Sequence, residues 1–167
     1  MRHEGNGTAP GTPGEERVRD ATPADLDTLV AFNRAMARET EGRDLDADLL
    51  RTGTDAVLRD PARGRYLVVE DGDGAPLGQL LITTEWSDWR NGWFWWIQSV
   101  YVRPEARGRG VYRRLHREVE RLARDRGNVV GLRLYVATEN RAAQAVYAAV
   151  GMSAADYRMF ETDWVLH

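Results

Sequence analysis

The chain of 167 residues contains neither cysteine nor lysine, since all 23 of its basic residues are arginine. The missing cysteine excludes disulfides, thiolate metal sites and a cysteine nucleophile. The missing lysine excludes P-loop phosphate transfer and Schiff-base chemistry, because both depend on a lysine amine. The three histidines, His3, His116 and His167, are too dispersed for a zinc site, so no metal is expected.

Long apolar runs are also missing. No stretch approaches the roughly 18 consecutive apolar residues that a membrane span requires, and residues 1–16 lack the apolar centre of a signal peptide. We therefore expect a cytoplasmic protein with no membrane association. Residues 1–16 are rich in Gly, Pro and Thr and are predicted to be a disordered tail, followed by a single domain over residues 17–167.

The net charge of −3 is unevenly distributed. Residues 103–126 hold nine arginines against four acids, a local balance of +5, which leaves −8 on the rest of the chain. Overall acidity argues against nucleic-acid binding. One basic segment suits either an anionic ligand held in one place or a solvated helix face, and charge alone leaves both interpretations open.

Hydrophobic periodicity indicates a mixed α/β sheet. Strands are predicted over residues 17–19, 65–70, 77–85, 92–102 and 129–137, with a last edge strand over 158–164. Helices are predicted over about residues 23–38, 46–59, 110–126 and 140–150.

Residues 100–112 combine the end of a buried strand, a glycine-bearing arginine loop and the start of a helix. Glycine lets the backbone approach a ligand, and a helix start presents free N–H groups, which together favour a phosphate. A dinucleotide fingerprint needs a third glycine after Gly108 and Gly110, but that position is Arg113. The Rossmann interpretation therefore fails.

Two patterns together resemble the GCN5-related N-acetyltransferase (GNAT) superfamily. Arg107-x-x-Gly110-x-Tyr112 resembles its Arg/Gln-x-x-Gly-x-Gly/Ala pyrophosphate loop. The second pattern is similar to its Asn-x-x-Ala-x-x-x-Tyr-x-x-x-Gly-Phe helix and consists of Asn140, Ala143, Tyr147, Gly151 and Met152. The resemblance covers residues 93–152 and implies a mixed, mostly antiparallel sheet flanked by helices on both faces, with residues 17–167 forming one N-acetyltransferase domain.

The resemblance implies acetyl-CoA as co-substrate and assigns roles to this chain's residues. Backbone groups of Val100 and Val102 would pair with the pantetheine arm, and amides in the loop would bind the pyrophosphate. The side chain of Asn140 would bond the cofactor arm, and the phenol of Tyr147 would protonate the leaving thiolate. The implied cofactor-binding residues are Val100, Tyr101, Val102, Arg107, Gly108, Arg109, Gly110, Val111, Tyr112, Arg113, Asn140, Ala143 and Tyr147.

Tyr112 departs from the family pattern, because glycine or alanine usually stands at this position. Its amide can still point at a phosphate, since the side chain does not remove the N–H. The ring, however, must fit beside the cofactor or turn away from it.

Direct transfer also needs a group that takes the proton of the acceptor amine. Family members often carry a carboxylate on the strand before the loop, but the equivalent residue here is Gln98. Glu85 is the predicted catalytic replacement. Asp88, Glu39 and Glu41 are alternatives.

Five of the six tryptophans lie between Trp86 and Trp96. Strict alternation directs Trp93, Trp95, Ile97, Ser99 and Tyr101 to one face of their strand and Phe94, Trp96, Gln98, Val100 and Val102 to the other, unless a bulge shifts the register. Aromatic walls with nearby acids suit a cationic amine. The predicted substrate-binding residues are Glu39, Glu41, Trp86, Trp89, Trp96 and Gln98.

The expected function is transfer of acetyl from acetyl-CoA to a primary amine, by direct attack in a ternary complex. The acceptor stays open between a small-molecule amine and a protein N-terminus. The alternative is a catalytically inactive CoA-binding regulatory module of the same fold. A homodimer is compatible with the resemblance, since members of this family are often dimers.

Overall fold

The computed structural model describes residues 15–165, whose contacts divide into two compact units, residues 15–135 and 136–165. The strands of the first unit are β1 (Arg17–Asp20), β2 (Arg65–Glu70), β3 (Pro76–Ser87), β4 (Gly92–Val102) and β5 (Val129–Arg133). Its helices are α1 (Leu26–Glu41), α2 (Ala47–Arg59) and α3 (Val111–Arg126). The second unit contains α4 (Arg141–Ala149).

The five strands form one mixed sheet in the order β1-β2-β3-β4-β5. Neighbouring strands from β1 to β4 are antiparallel, and β5 runs parallel to β4. The long crossover through α3 permits this parallel pairing, because parallel neighbours cannot be joined by a tight hairpin. The predicted mixed, mostly antiparallel sheet is confirmed.

The two faces of the sheet carry separate apolar clusters. On one face, Leu115 and Val119 of α3 pack with Leu80 and Trp95 of the sheet. On the other face, Leu29 of α1 packs with the β2 residues Tyr66 and Val68, and α2 adds Val57 and Leu58. Helices therefore cover both faces of the sheet, as predicted.

Buried charges fix the corner where β1 leads into α1. The Arg19 guanidinium donates to both carboxylate oxygens of Asp25 at 2.8 Å and to Glu70 at 2.5 Å. Asp25 also accepts from the Thr22 amide at 2.7 Å, which caps the 3-10 turn that precedes α1. The Arg19 contact holds the pKa of Asp25 below its usual value. Burial raises the pKa of Glu70, but Arg19 and Arg17 outweigh burial and lower it overall.

We predict that Arg19→Met lowers the free energy of unfolding at neutral pH by about 3 kcal/mol, because the buried Asp25 carboxylate loses its partner and the buried Glu70 carboxylate keeps only Arg17. In the unmodified chain the two depressed pKa values contribute stability above pH ~4, which is lost as pH falls through the folded-state values. The difference in unfolding free energy between the variant and the unmodified chain should therefore become smaller in acid, because protonation of Asp25 and Glu70 removes the buried negative charge. Denaturant unfolding of the two proteins, repeated from neutral to acidic pH, measures both the loss of stability and its pH dependence.

Arg65→Met is the matched control for this experiment. Arg65 donates to Asp20 at 2.8 Å, but both side chains of this pair are exposed. Exposed ion pairs contribute at most about 1 kcal/mol, so this variant should remain close to the parent. Equal losses for Arg19→Met and Arg65→Met would contradict the importance given to burial.

A bulge in β4 changes which side chains share a face. Gln79 of β3 pairs with Tyr101 and Leu81 pairs with Gln98, so Ser99 and Val100 together lie opposite one residue. Ser99 has a φ of +50°, a left-handed conformation that is rare outside glycine. Beyond the bulge the alternation is inverted. Strict alternation was therefore wrong there: Val100 and Val102 pack in the α3 cluster with Trp95, whereas Tyr101 contacts Phe32 of α1.

The structure departs from the predicted elements mainly in the C-terminal part of the chain. The strand predicted over 129–137 ends at Arg133, because its ladder with β4 stops at the pair Trp96–Arg133. The edge strand predicted over 158–164 is wrong: this segment has no regular structure, since alternation alone does not form a strand without a hydrogen-bonded neighbour. Most of the predicted disordered tail, residues 1–14, lies outside the described residues.

Within residues 15–165, no helix has both the length and the apolar character needed to cross a membrane.

Candidate active site

The loop between β4 and α3 presents a run of unused backbone donors. Gly108 and Gly110 have φ values of +73° and +79°, which turn the chain sharply into the helix. The amide of Arg114 donates to the Gly110 carbonyl at 3.1 Å in the first turn of α3. Within the described chain, the amides of residues 108–111 donate to no protein acceptor. Such amides at the positive end of a helix dipole favour an anion.

Arginines surround this loop, and most of them face carboxylates. Arg107 Nη2 lies 2.6 Å from Glu39 Oε2, and Arg109 Nη2 lies 2.9 Å from Glu16 Oε1. Arg113 is exposed and forms no ion pair with any residue between 15 and 165. Sequence patterns alone did not indicate Glu16, which lies within the predicted tail, as a partner of the loop. The guanidinium groups of Arg107 and Arg109 are about half exposed, so a phosphate can compete for them.

Glu39, Tyr101 and Arg107 form a cluster that joins the end of α1 to the end of β4. The Tyr101 hydroxyl donates to Glu39 Oε1 at 3.3 Å, and the Arg107 guanidinium lies 5.6 Å from the centre of the Tyr101 ring. Arg107 Nε also donates to the Val102 carbonyl at 2.9 Å. Burial, and then the negative charge of Glu39, raise the pKa of Tyr101 above its ordinary value. Glu41, predicted alongside Glu39, is not part of this cluster. Its Oε2 lies 3.9 Å from Arg43 Nε, at the outer limit of an ion pair.

We predict that Glu39→Gln lowers the pKa of Tyr101 while leaving it above the ordinary value of about 10. The substitution removes a negative charge that disfavours the phenolate, and burial of the ring remains. Spectrophotometric titration of the phenolate measures the change, with Tyr101→Phe identifying which signal belongs to this residue. Glu41→Gln is the control and should leave the titration unchanged. An unchanged curve for Glu39→Gln would show that the carboxylate does not act on the phenol.

One edge of β4 is open over its second half. β5 pairs with β4 only from Trp93 to Trp96, and no other described strand continues along that edge. The amide of Arg103 donates to β3, and backbone groups of successive residues alternate in direction. The backbone groups of Val100 and Val102 therefore point toward the open edge, where an extended ligand can add as a strand.

The Glu85 carboxylate lies on the face of the sheet that also carries Phe94 and Trp96. It accepts from Trp96 Nε1 at 2.6 Å and from Arg133 Nη1 at 3.0 Å. The Arg133 guanidinium lies 3.5 Å from the centre of the Phe94 ring. The role of Arg133 was missed in the sequence, although its position at the end of a strand parallel to β4 was the available signal. A carboxylate has about four lone-pair sites, so Glu85 retains capacity for a further donor.

The three tryptophans predicted to wall one pocket are separated. Trp86 pairs across the strands with Trp93, whereas Trp96 pairs with Thr83. Cross-strand partners share a face, so the Trp86 and Trp96 side chains lie on opposite faces of the sheet. Trp89 lies in the connecting turn and is 89% exposed. A single pocket formed by all three rings is therefore wrong. Gln98, on the Trp96 face, donates to Thr83 Oγ1 at 2.6 Å.

In the second unit, Asn140 directly precedes α4 and Tyr147 lies on it. Asn140 Oδ1 accepts from the Ala143 amide at 3.0 Å and so caps the helix. This contact leaves the two N–H donors of the Asn140 amide group for another acceptor. Burial raises the pKa of Tyr147, so its phenol keeps its proton at neutral pH. The loop of the first unit and the side chains of α4 are thus each built to donate hydrogen bonds.

Metal ligation receives no support from the described residues. Between residues 15 and 165, no three histidine, aspartate or glutamate side chains come together in a way that could hold a metal ion.

The family to which this fold and loop belong is identified by similarity to known proteins. The model of the Acetyltransferase (GNAT) family matches residues 26–152. The chain therefore belongs to the GNAT acetyltransferase family. No match was found among curated proteins.

Solved structures support the same conclusion. A "possible acetyltransferase from Clostridium difficile 630" is 42% identical, with a TM-score of 0.83 over 92% of this chain and 99% of that chain. Two more distant structures share the fold. AAC(6')-Iy in complex with the bisubstrate analog CoA-S-monomethyl-acetylneamine is 17% identical, with a TM-score of 0.71 over 89% of this chain and 98% of that one. A "predicted acetyltransferase with acetyl-CoA" from Clostridium acetobutylicum is 18% identical, with a TM-score of 0.72 over 88% of this chain and 96% of that one.

Proposed function

We propose that this acetyltransferase moves the acetyl group of acetyl-CoA to a primary amine by direct attack in a ternary complex. The observation that carries the proposal is the set of unused amides at residues 108–111, which follows an open strand edge. An edge of this kind suits a pantetheine arm, and amides at a helix start suit a pyrophosphate. Residues 17–167 would form the acetyltransferase domain.

Binding of the donor would combine backbone and side-chain contacts. Val100 and Val102 would bond the pantetheine amides, while residues 108–112 would direct their amides at the pyrophosphate. Arg113 would neutralise phosphate directly, and Arg107 and Arg109 would do so by exchanging a carboxylate for it. The Asn140 amide group would bond the cofactor arm from α4. Tyr112 is buried, and its ring packs 5.9 Å from the His116 ring, which supports a ring turned away from the phosphates.

We predict that Gly110→Ala weakens acetyl-CoA binding by about tenfold, or about 1.4 kcal/mol. Alanine is strained in the left-handed conformation that Gly110 adopts at the helix start. The substitution therefore disturbs the amides that face the pyrophosphate. Gly127→Ala is the matched control, because Gly127 has a φ of +77° at the other end of the same helix, with nothing within 4 Å of an added Cβ. Calorimetry should show weaker binding for the first variant only. Equal acetyl-CoA affinities of Gly110→Ala and the unmodified chain would contradict a pyrophosphate site at this loop.

The transfer step would proceed as follows. The neutral amine attacks the thioester carbonyl, the C–N bond forms, and the C–S bond of acetyl-CoA breaks. Tyr147 donates its phenolic proton to the departing thiolate, which its partly buried, protonated phenol suits. Glu85 accepts the proton that the nitrogen loses, directly or through water. Solvent then returns a proton to Tyr147 and removes one from Glu85.

We predict that Tyr147→Phe lowers kcat by about 100-fold, because general acid catalysis contributes on this scale. Acetyl-CoA affinity should stay nearly unchanged. Thiol release is measured over a panel of a short alkylamine, a polyamine, an amino acid, an aminoglycoside and a peptide with a free N-terminus. Tyr157→Phe, a change at a largely exposed tyrosine of the same unit, serves as the control.

The same panel tests the function itself. Turnover of at least one amine by the unmodified chain is the expected result. Tight acetyl-CoA binding without turnover of any amine would instead indicate a CoA-binding regulatory module. Failure to bind acetyl-CoA would overturn the whole proposal.

The acceptor would lie on the Trp96 face of the sheet, since Glu85 and Gln98 are on that face and Glu39 lies beside Tyr101 there. A cationic amine is favoured by the two carboxylates and the indole ring. Both a small-molecule amine and a protein N-terminus fit these groups. The predicted cytoplasmic location and homodimer stay predictions.

A further inference from the structure

A chain of three buried polar side chains lies beneath the β4 bulge. Gln79 of β3 is 0% exposed, Asn33 of α1 is 4% exposed, and Tyr66 of β2 is 5% exposed. Polar groups of this kind are rarely placed in an apolar core unless their hydrogen bonds are satisfied. They therefore mark a position where packing alone does not explain the residue types.

Gln79 donates hydrogen bonds to both sides, to Asn33 within the chain of polar side chains and to the bulge in β4. Gln79 Nε2 donates to Asn33 Oδ1 at 2.7 Å and to the Ser99 carbonyl at 3.3 Å. Asn33 Nδ2 in turn donates to the Tyr66 hydroxyl at 3.1 Å. Asn33 thus fixes the orientation of the Gln79 amide, and Gln79 provides a donor to the carbonyl of the bulged residue.

The arrangement carries an energetic cost. Gln79 Oε1 is buried and has no hydrogen-bond partner among residues 15–165. Burying an unsatisfied acceptor is unfavourable, and a methionine of similar length would avoid that cost. Ser99 adds strain through its left-handed backbone. Two unfavourable features that meet at one hydrogen bond point to a role other than stability.

We propose that Gln79, oriented by Asn33, is a positioning residue for acetyl-CoA. By holding the Ser99 carbonyl it fixes the bulge, and the bulge determines which backbone groups of Val100 and Val102 reach the open edge of β4. Gln79 touches neither substrate nor reacting atoms in this role. The inference rests on the proposed function, because the open edge is assigned there to the pantetheine arm.

The test separates the two parts of the donor. Acetyl-CoA engages both the β4 edge and the pyrophosphate loop, whereas adenosine 3′-phosphate 5′-diphosphate lacks the pantetheine arm and engages only the loop. We expect Gln79→Met to weaken acetyl-CoA binding by three- to tenfold, roughly the loss of one buried hydrogen bond, and to leave the nucleotide fragment unaffected. Asn33→Leu should act in the same direction, because it removes the acceptor that orients Gln79.

Tyr66→Phe is the control, since it removes the far end of the chain but keeps the bond between Asn33 and Gln79. It should bind both ligands as the parent does. Parallel loss of both ligands in Gln79→Met would indicate general destabilisation and overturn the inference. Unchanged acetyl-CoA affinity in a folded Gln79→Met would overturn it too. In either case acetyl-CoA binding by the parent would leave the proposed function standing, whereas a parent that binds no acetyl-CoA would refute both.

A measurement on the unmodified chain covers the case in which neither variant folds. The Gln79 side-chain amide gives its own NMR signals. They should shift on addition of acetyl-CoA but not on addition of the nucleotide fragment. Signals that respond identically to the two ligands would contradict the proposal.

Discussion

The arrangement of the site depends on one extra residue in β4. Without the bulge at Ser99, Tyr101 would point toward α3, and Val100 and Val102 would point toward α1. With it, the apolar valines join the α3 cluster while Tyr101 reaches Glu39. The same strand can then serve as a packed central strand over Trp93 to Ile97 and as an open edge further on. Packing and ligand access are thereby divided between the two halves of a single strand.

The ion pairs of the protein also serve two separate purposes, one at the loop beside this edge and one in the fold. The loop arginines lie beside carboxylates from distant parts of the chain, Glu39 from α1 and Glu16 from the segment before β1. These pairs keep the loop close to neutral when no anion is present, and weak exposed pairs exchange partners easily. Arginine suits this use because its charge is retained at every physiological pH. The pair of Arg19 with Asp25 is different, since the Asp25 carboxylate is buried and the pair acts on stability.

Much of the fold follows from local patterns. The hydrophobic patterns of β2, β4 and α3 were sufficient to place these elements. Pro104 after β4 and Gly110 before α3 marked where the strand ends and the helix begins. The loop and the α4 pattern were recognisable because backbone donors and caps depend on local residue types. Three features were not predictable. The bulge lies at a hydrogen bond between Gln79 and Ser99, two residues that are 20 positions apart in the sequence. The Glu85–Arg133 pair needs the parallel register of β5, and the absent strand at 158–164 reflects a missing neighbour.

The crowding of tryptophans in the β3–β4 hairpin also has an optical consequence. Five of the six indoles of the chain belong to this hairpin, in settings that range from 5% exposed at Trp95 to 89% exposed at Trp89. Most of the intrinsic tryptophan fluorescence is therefore expected from one supersecondary element, with Trp164 as the one other source. Emission from the native protein should report mainly on the environment of this hairpin.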